Sequence, residues 1–166
     1  MSLEKVIEYL VPYGYGDKVR TFDSSSATVA LAAQALGVRE AMIAKTLSFL
    51  TKDGCVIVVA AGDARVNNGK FKAQFGEKAR MLPHELVEEM TGHPVGGVCP
   101  FGVKGEVPVY LDISLKRFDI IYPAAGNDHS AVELTCDQLE RASQARGWVD
   151  VCKDWVENTG EIQEKD

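Results

Sequence analysis

KTLSFLTKDGCVIVVAA, Lys45 to Ala61, reads as two strands folded about a turn. Lys-Asp-Gly at Lys52–Gly54 is turn chemistry, and KTLSFL and CVIVVAA on either side are strand-like runs. The second run is apolar throughout. A strand with no polar alternation is covered on both faces, so Cys55–Ala61 is expected at the centre of a sheet.

Before the hairpin, Val38–Ala44 fits a short helical turn, and Ser24–Ser26 offer an N-cap for an alanine-rich helix running to Leu36 and stopped by Gly37. Leu3, Val6, Ile7 and Leu10 recur at helical spacing until Pro12, Gly14 and Gly16 intervene. After the hairpin, Asn67–Phe75 suggests a short helix, and Pro83 opens another over HELVEEMTG, which Gly92 ends. VPVYLD, FDIIYP and AVELT follow as strand candidates, and Thr135 with Gln138 forms a capping box for a helix over Asp137–Arg146. Hairpin-like spacings and helical crossovers both occur. The expectation is therefore one α/β domain with a mixed sheet over residues 1–152 and a polar tail over 153–166.

The chain has 166 residues, 46% of them hydrophobic, enough for one domain with a real core. No stretch reaches the roughly 20 apolar residues of a membrane span, and MSLEKVIEYL lacks the apolar core of a signal peptide, so a cytoplasmic protein is expected. Cys55, Cys99, Cys136 and Cys152 are scattered, without Cys-x-x-Cys spacing, which indicates neither a disulfide scaffold nor a zinc ribbon. The net charge of −6 is the wrong sign for a broad nucleic-acid footprint. Yet Arg65, Lys70, Lys72, Lys78 and Arg80 face only Glu77 within their own segment, so a local basic surface can meet a phosphate or two; a solvated helix face explains the same run equally well.

Thr91–Gly102, TGHPVGGVCPFG, surrenders backbone preference at six of twelve positions to glycine and proline. Gly96-Gly97 allows close approach and positive φ, and successive amides exposed there can receive an anion or a carbonyl oxygen. A rigid loop with aimed N–H groups is what an oxyanion hole requires, although a tight helix-to-strand connection has the same composition. Lys45, at a strand end, can hold a phosphate or polarise a carbonyl, or simply snorkel at the surface. His93 and Cys99 invite a nucleophile–base reading, but a loop with two prolines is expected to point them apart. His84, His93, His129 and Cys99 lack metal-ligand spacing, and Asp137 in a first helical turn is explained by the dipole alone.

Taken together, IAKTLSF, AAGDARV, the basic helix ending FG, RMLPHELVEEMTGHPVGGVCPFG, VYLDISL and IYPAAGNDHSAVELTCDQL resemble the YbaK/ProX family of aminoacyl-tRNA deacylases, which also occurs as an editing domain within prolyl-tRNA synthetases. The resemblance spans about Ser24 to Arg146. It implies a curved mixed β-structure approaching a barrel, with surrounding helices. It also implies hydrolysis of the ester on a mischarged tRNA, acting in trans on a small amino acid such as alanine or cysteine, with no metal, cofactor or obligatory covalent intermediate. By the same resemblance the catalytic set is Lys45, Gly96, Gly97 and Asp137, and the substrate is met by His93, Val98, Phe101, Ala124, Ala125 and Gly126. Arg65, Lys70, Lys72, Lys78 and Arg80 would touch the acceptor end of the tRNA, with an aminoacyl-tRNA synthetase as a further partner and monomer and homodimer both open. Ala124 departs from the serine of some cysteine-specific relatives, and a cysteine is unusual at position 99. Two rivals stand beside this reading: a non-catalytic module that binds aminoacyl-tRNA or a nucleotide, and a thiol hydrolase using Cys99 with His93.

Overall fold

A computed structural model describes residues 2–155. Its frame is the hairpin of β2 (Ile43–Thr51) and β3 (Gly54–Ala61), paired antiparallel from Ala44↔Ala61 to Thr51↔Gly54. β5 (Val109–Asp112) lies parallel to β3, β8 (Gly147–Val149) parallel to β5, and β6 (Tyr122–Pro123) parallel to β2. The order β6-β2-β3-β5-β8 makes a mixed, curved half-barrel with β3 at its centre. Ile57 to Ala61 are wholly sealed from solvent, as an all-apolar strand requires. Among the described residues two ribbons flank the sheet: β1 (Val19–Thr21) with β7 (Ser130–Val132), and β4 (Arg65–Val66) with β9 (Cys152–Lys153).

Among the described residues five α-helices surround it: α1 (Leu3–Leu10), α2 (Val29–Leu36), α3 (Asn68–Phe75), α4 (His84–Thr91) and α5 (Cys136–Ser143). α3 is polar except for its aromatics. Phe71, fully buried between Phe49 at 4.9 Å and Phe75 at 4.7 Å, docks it and leaves its lysines outward. The capping box at Thr135 and Gln138 is formed as expected. Gly37 and Gly92 end their helices in the left-handed conformation that glycine tolerates.

Several boundaries differ from the sequence reading. α2 is capped by Thr28, whose hydroxyl accepts from the Leu31 amide, while Ser25 Oγ takes the Ala27 amide and so builds the preceding loop instead. The helical turn before the hairpin is only Glu40–Met42, and β2 begins at Ile43, ahead of Lys45. Of FDIIYP only Tyr122–Pro123 is a strand paired with β2, because Ile121 turns to exchange hydrogen bonds with Leu134. α5 stops at Ser143, where Gln144 turns left-handed, three residues short of the expected end at Arg146, and β8 begins at Gly147. β9 runs across residue 152, and VENTGEIQEKD, residues 156–166, lies outside the described residues. No helix among the described residues is long and apolar enough to cross a membrane.

Candidate active site

β6 covers the edge of β2 only at Ile43 and Ala44. The chain returns to that edge at residues 80–82, where the Leu50 amide donates to Arg80 and the Leu82 amide to the carbonyl of Ser48. Between these two patches the edge is uncovered, and a cavity of about 370 Å³ occupies the gap. Its walls are Ile43–Ser48 of β2, the approach and start of α2 from Ser26 to Ala32, Met81–Leu82 with His84 and Val87, the loop residues Val95, Gly96 and Val98, and Tyr122, Ala124, Ser130 and Ala131. Lys45 and Gly96 of the glycine loop, 51 positions apart in sequence, therefore line one hollow.

Lys45 is half-buried, and its ammonium donates to the carbonyls of Gly62, at 3.4 Å, and Ala64. Burial holds its pKa below the ordinary lysine value; nearby Asp63 works against that depression and Arg65 adds to it. The turn that offers those carbonyls is itself clamped. Arg117 grips Asp63 through two hydrogen bonds of 3.0 and 2.5 Å and donates from Nε to the carbonyl of Ser114 at 2.9 Å. Gly62 has no alternative here, since a Cβ would lie 2.0 Å from the carbonyl oxygen of Glu40. Gly62-Asp63-Ala64 thus combines a close-packed glycine, a clamped acid and two carbonyls that fix the lysine.

The glycine loop turns at Pro94–Gly97. Gly97 donates its amide to the carbonyl of Pro94 at 3.0 Å, Gly96 has φ +87°, and Val95 keeps a negative φ, which together make a type II turn. Gly97 thereby spends its N–H inside the loop, a correction to the expectation that it points at a ligand. The amides of Gly96 and Val98 make no hydrogen bond among the described residues, and both residues line the cavity. Gly97 serves sterically, because a Cβ there would come within 3.0 Å of Gly126 O and Asn127 Cα.

An aminoacyl-tRNA editing domain family model matches residues 23–142. The chain belongs to the aminoacyl-tRNA editing domain family. A Bacillus subtilis protein named "Uncharacterized protein YwhH" is 48% identical over 156 residues, covering 93% of this chain and 99% of its own. An Enterococcus faecalis protein named "Putative Cys-tRNA(Pro)/Cys-tRNA(Cys) deacylase EbsC" is 30% identical over 140 residues, covering 83% and 84%. A crystal structure described as "a putative trans-editing enzyme for prolyl tRNA synthetase" superposes with a TM-score of 0.82 at 29% identity, over 92% of this chain and 99% of that one.

Within this editing domain several expected site residues do not reach the cavity. His93 is fully buried behind the loop, its Nε2 2.7 Å from the carbonyl of Phe101, and Phe101 is equally buried; the two brace the loop from inside. Contrary to the sequence expectation, His93 and Cys99 do meet, with Cys99 Sγ 3.6 Å from Nε2. Both side chains are sealed from solvent. Burial pushes the thiol up to about 12 and holds the imidazole below its usual value, so both stay neutral and out of reach of substrate. Ala124 lines the cavity, but Ala125 is sealed in the core, and a Cβ on Gly126 would strike Val6 Cγ2 at 2.8 Å, so that glycine faces α1. Asp137 is exposed on the first turn of α5, away from the cavity walls.

Arg65, Lys70, Lys72, Lys78 and Arg80 are all exposed and lie outside the cavity. Lys70 is engaged with Asp150 at 3.0 Å and the carbonyl of Cys152 at 3.1 Å. Arg80 is next to Met81, which with Val95 exposes an apolar side chain at the cavity wall. A larger hollow of about 880 Å³ opens at the hairpin tip, but its carboxylates Asp53, Glu77, Glu89 and Glu106 outnumber Lys104 and Arg146, which disfavours a phosphate. Among the described residues no three His, Cys, Asp or Glu side chains gather as a metal site. The fold also brings Ser26, Thr46 and Tyr122 to the cavity wall, where no local motif had marked a site residue.

Proposed function

We propose that this chain is a trans-acting deacylase that hydrolyses the ester of a mischarged tRNA carrying a small amino acid. The single observation that carries the reading is the cavity lined together by Lys45, Gly96 and Val98, the amides of the last two being unengaged among the described residues. An aminoacyl ester is already activated, so the enzyme supplies orientation and charge stabilisation rather than a strong nucleophile. The Gly96 and Val98 amides receive the ester oxygen as the carbonyl becomes tetrahedral, and losing one such donor typically costs about 2.7–4 kcal/mol of barrier. Lys45, fixed by the turn Gly62–Ala64, holds the terminal adenosine or its phosphate and presents the ester to water. Ala124 and its apolar neighbours keep the hollow small, which limits the acyl group by steric fit. The names of the relatives, a Cys-tRNA deacylase and a trans-editing enzyme for prolyl-tRNA synthetase, support tRNA-Pro as carrier and a synthetase as the source of the error.

Incubating the protein with a panel of mischarged tRNAs tests this. Ester loss well above the buffer rate is expected for small aminoacyl groups. Binding of the tRNA without cleavage overturns the reading in favour of a binding module.

A further inference from the structure

Both ends of the turn that holds Lys45 lead to one buried carboxyl group. Asp112, the last residue of β5, is sealed from solvent, and its two oxygens accept main-chain amides: Oδ2 from Ser114 at 3.0 Å and Oδ1 from Val151 at 2.9 Å. Capping of the short helical turn Ile113–Arg117 accounts for the first bond. It does not account for the second, which reaches 39 positions along the chain. A buried carboxylate is costly unless donors surround it, so its place in the core is coupled to the segments that supply them.

Each donor residue continues to the turn. Ser114 Oγ accepts the Ala61 amide at 3.1 Å, just ahead of Gly62, and the Ser114 carbonyl receives Nε of Arg117, whose guanidinium grips Asp63. Val151 accepts the Asn67 amide at 2.8 Å on its carbonyl, and the next residue, Cys152, pairs with Val66 of β4. Residues 61–67 are therefore tied before, within and after the Gly62 and Ala64 carbonyls that receive the Lys45 ammonium. Cys152 also stands between the two groups: its buried thiol, pushed up to about 12 by burial and then by Asp112, feels the Lys45 charge in the opposite sense.

We propose that Asp112 is a positioning residue for Lys45, tying the front of the lysine-holding turn through Ser114 and its rear through Val151, and so setting where the ammonium stands in the cavity. Its effect on ester cleavage rests on the deacylase reading; its effect on the place of Lys45 does not. Asp112 lies outside the cavity lining and touches no substrate. Both its oxygens must accept, which an amide of the same shape cannot do, because one of its two polar atoms is a donor.

The test compares the wild-type chain with Asp112→Asn, with Ser114→Ala, which keeps the carboxyl group and removes only the hydroxyl that accepts from Ala61, and with Leu10→Ala. Leu10 is a buried residue of α1 outside the cavity lining, so its variant reports general destabilisation. Two quantities are read: the NMR signal of the Lys45 ε-carbon, assigned by its loss in Lys45→Ala, and kcat/KM on a mischarged tRNA. The Lys45 signal should leave its wild-type position in Asp112→Asn and Ser114→Ala and keep it in Leu10→Ala. Deacylation should fall on the order of 10²-fold in Asp112→Asn, the cost of a misplacement of roughly 1 Å, and only a few-fold in Leu10→Ala. A Lys45 signal unmoved by both network variants, or moved equally by Leu10→Ala, overturns the proposal, as does a rate that falls no further in Asp112→Asn than in Leu10→Ala. Should Asp112→Asn fail to fold, the signal in Ser114→Ala decides. If the wild-type chain cleaves no ester, it is the deacylase reading that falls, and the Lys45 signal alone decides whether Asp112 positions the lysine.

Discussion

Gly97 and Gly126 approach so closely that one added carbon would separate them: a Cβ on Gly97 would lie 3.0 Å from the carbonyl oxygen of Gly126. The loop bearing the candidate oxyanion amides is thus seated against the strand-to-strand turn that follows Ala124 and Ala125. Two glycines set where the loop stands, and one of them also faces α1 through Val6.

Gly97→Ala should push the loop off this seat. Overpacking of that kind costs about 1–3 kcal/mol, read as a lower denaturation midpoint, and a displacement of roughly 1 Å at a reacting centre costs about 10²-fold in rate. Gly96→Ala meets open space, so its penalty is the left-handed φ alone, about 1–2 kcal/mol. Deacylation falling more in Gly97→Ala than in Gly96→Ala is the expected order. The reverse order would mean that the Gly126 contact does not set the loop.

Lys45→Ala should abolish deacylation while the protein stays folded, as circular dichroism would report. The pH dependence follows from burial. The ammonium is complete below its folded pKa and is lost as pH rises through it, and that pKa is depressed from the ordinary lysine value. Activity, corrected for spontaneous ester hydrolysis, should therefore decline at lower pH than an exposed lysine would dictate.

Asp63→Asn removes a negative charge that favours the Lys45 ammonium, so the alkaline limb should move to still lower pH. The same change breaks the grip of Arg117. Its stability cost should stay at or below the about 3–5 kcal/mol of a broken buried pair, because the Asp63 side chain is 30% exposed. An unmoved limb in a folded variant would remove Asp63 from the positioning of Lys45.

Cys99→Ala should keep deacylase activity within about two-fold and lose on the order of 1 kcal/mol of stability, the worth of one buried group. With its thiol pushed up to about 12 and no solvent contact, Cys99 should also resist alkylation of the folded protein. Loss of activity in that variant would revive a thiol mechanism.

If the exposed cations of residues 65–80 meet the acceptor stem, Lys72→Glu and Lys78→Glu should weaken tRNA binding without changing which amino acid is removed. Each lost phosphate contact should reduce the salt slope of log K by about 0.9. Lys70→Glu should differ from both, since it also breaks the contact with Asp150.

Much of the frame was legible in the sequence. Cys55–Ala61 had to lie at the sheet centre because it offers no polar face, and Thr135 with Gln138 had to start a helix because the two side chains satisfy each other's backbone. β4, β8 and β9, of two or three residues, carry no period to read, and they exist only because a neighbouring strand pairs with them. The chain also declared its chemical stock: a lysine opening a hairpin, a diglycine between prolines, a histidine near a cysteine. Local sequence cannot say which of these meets water, since access and distance belong to segments brought together by the core. Tertiary structure put Lys45 and Gly96 on one hollow, buried His93 with Cys99, spent the Gly97 amide on Pro94, and left Asp137 outside. Residue types are written in the chain, but an uncovered stretch of strand edge, which is what makes the cavity, arises only where β6 ends before residues 80–82 begin to pair.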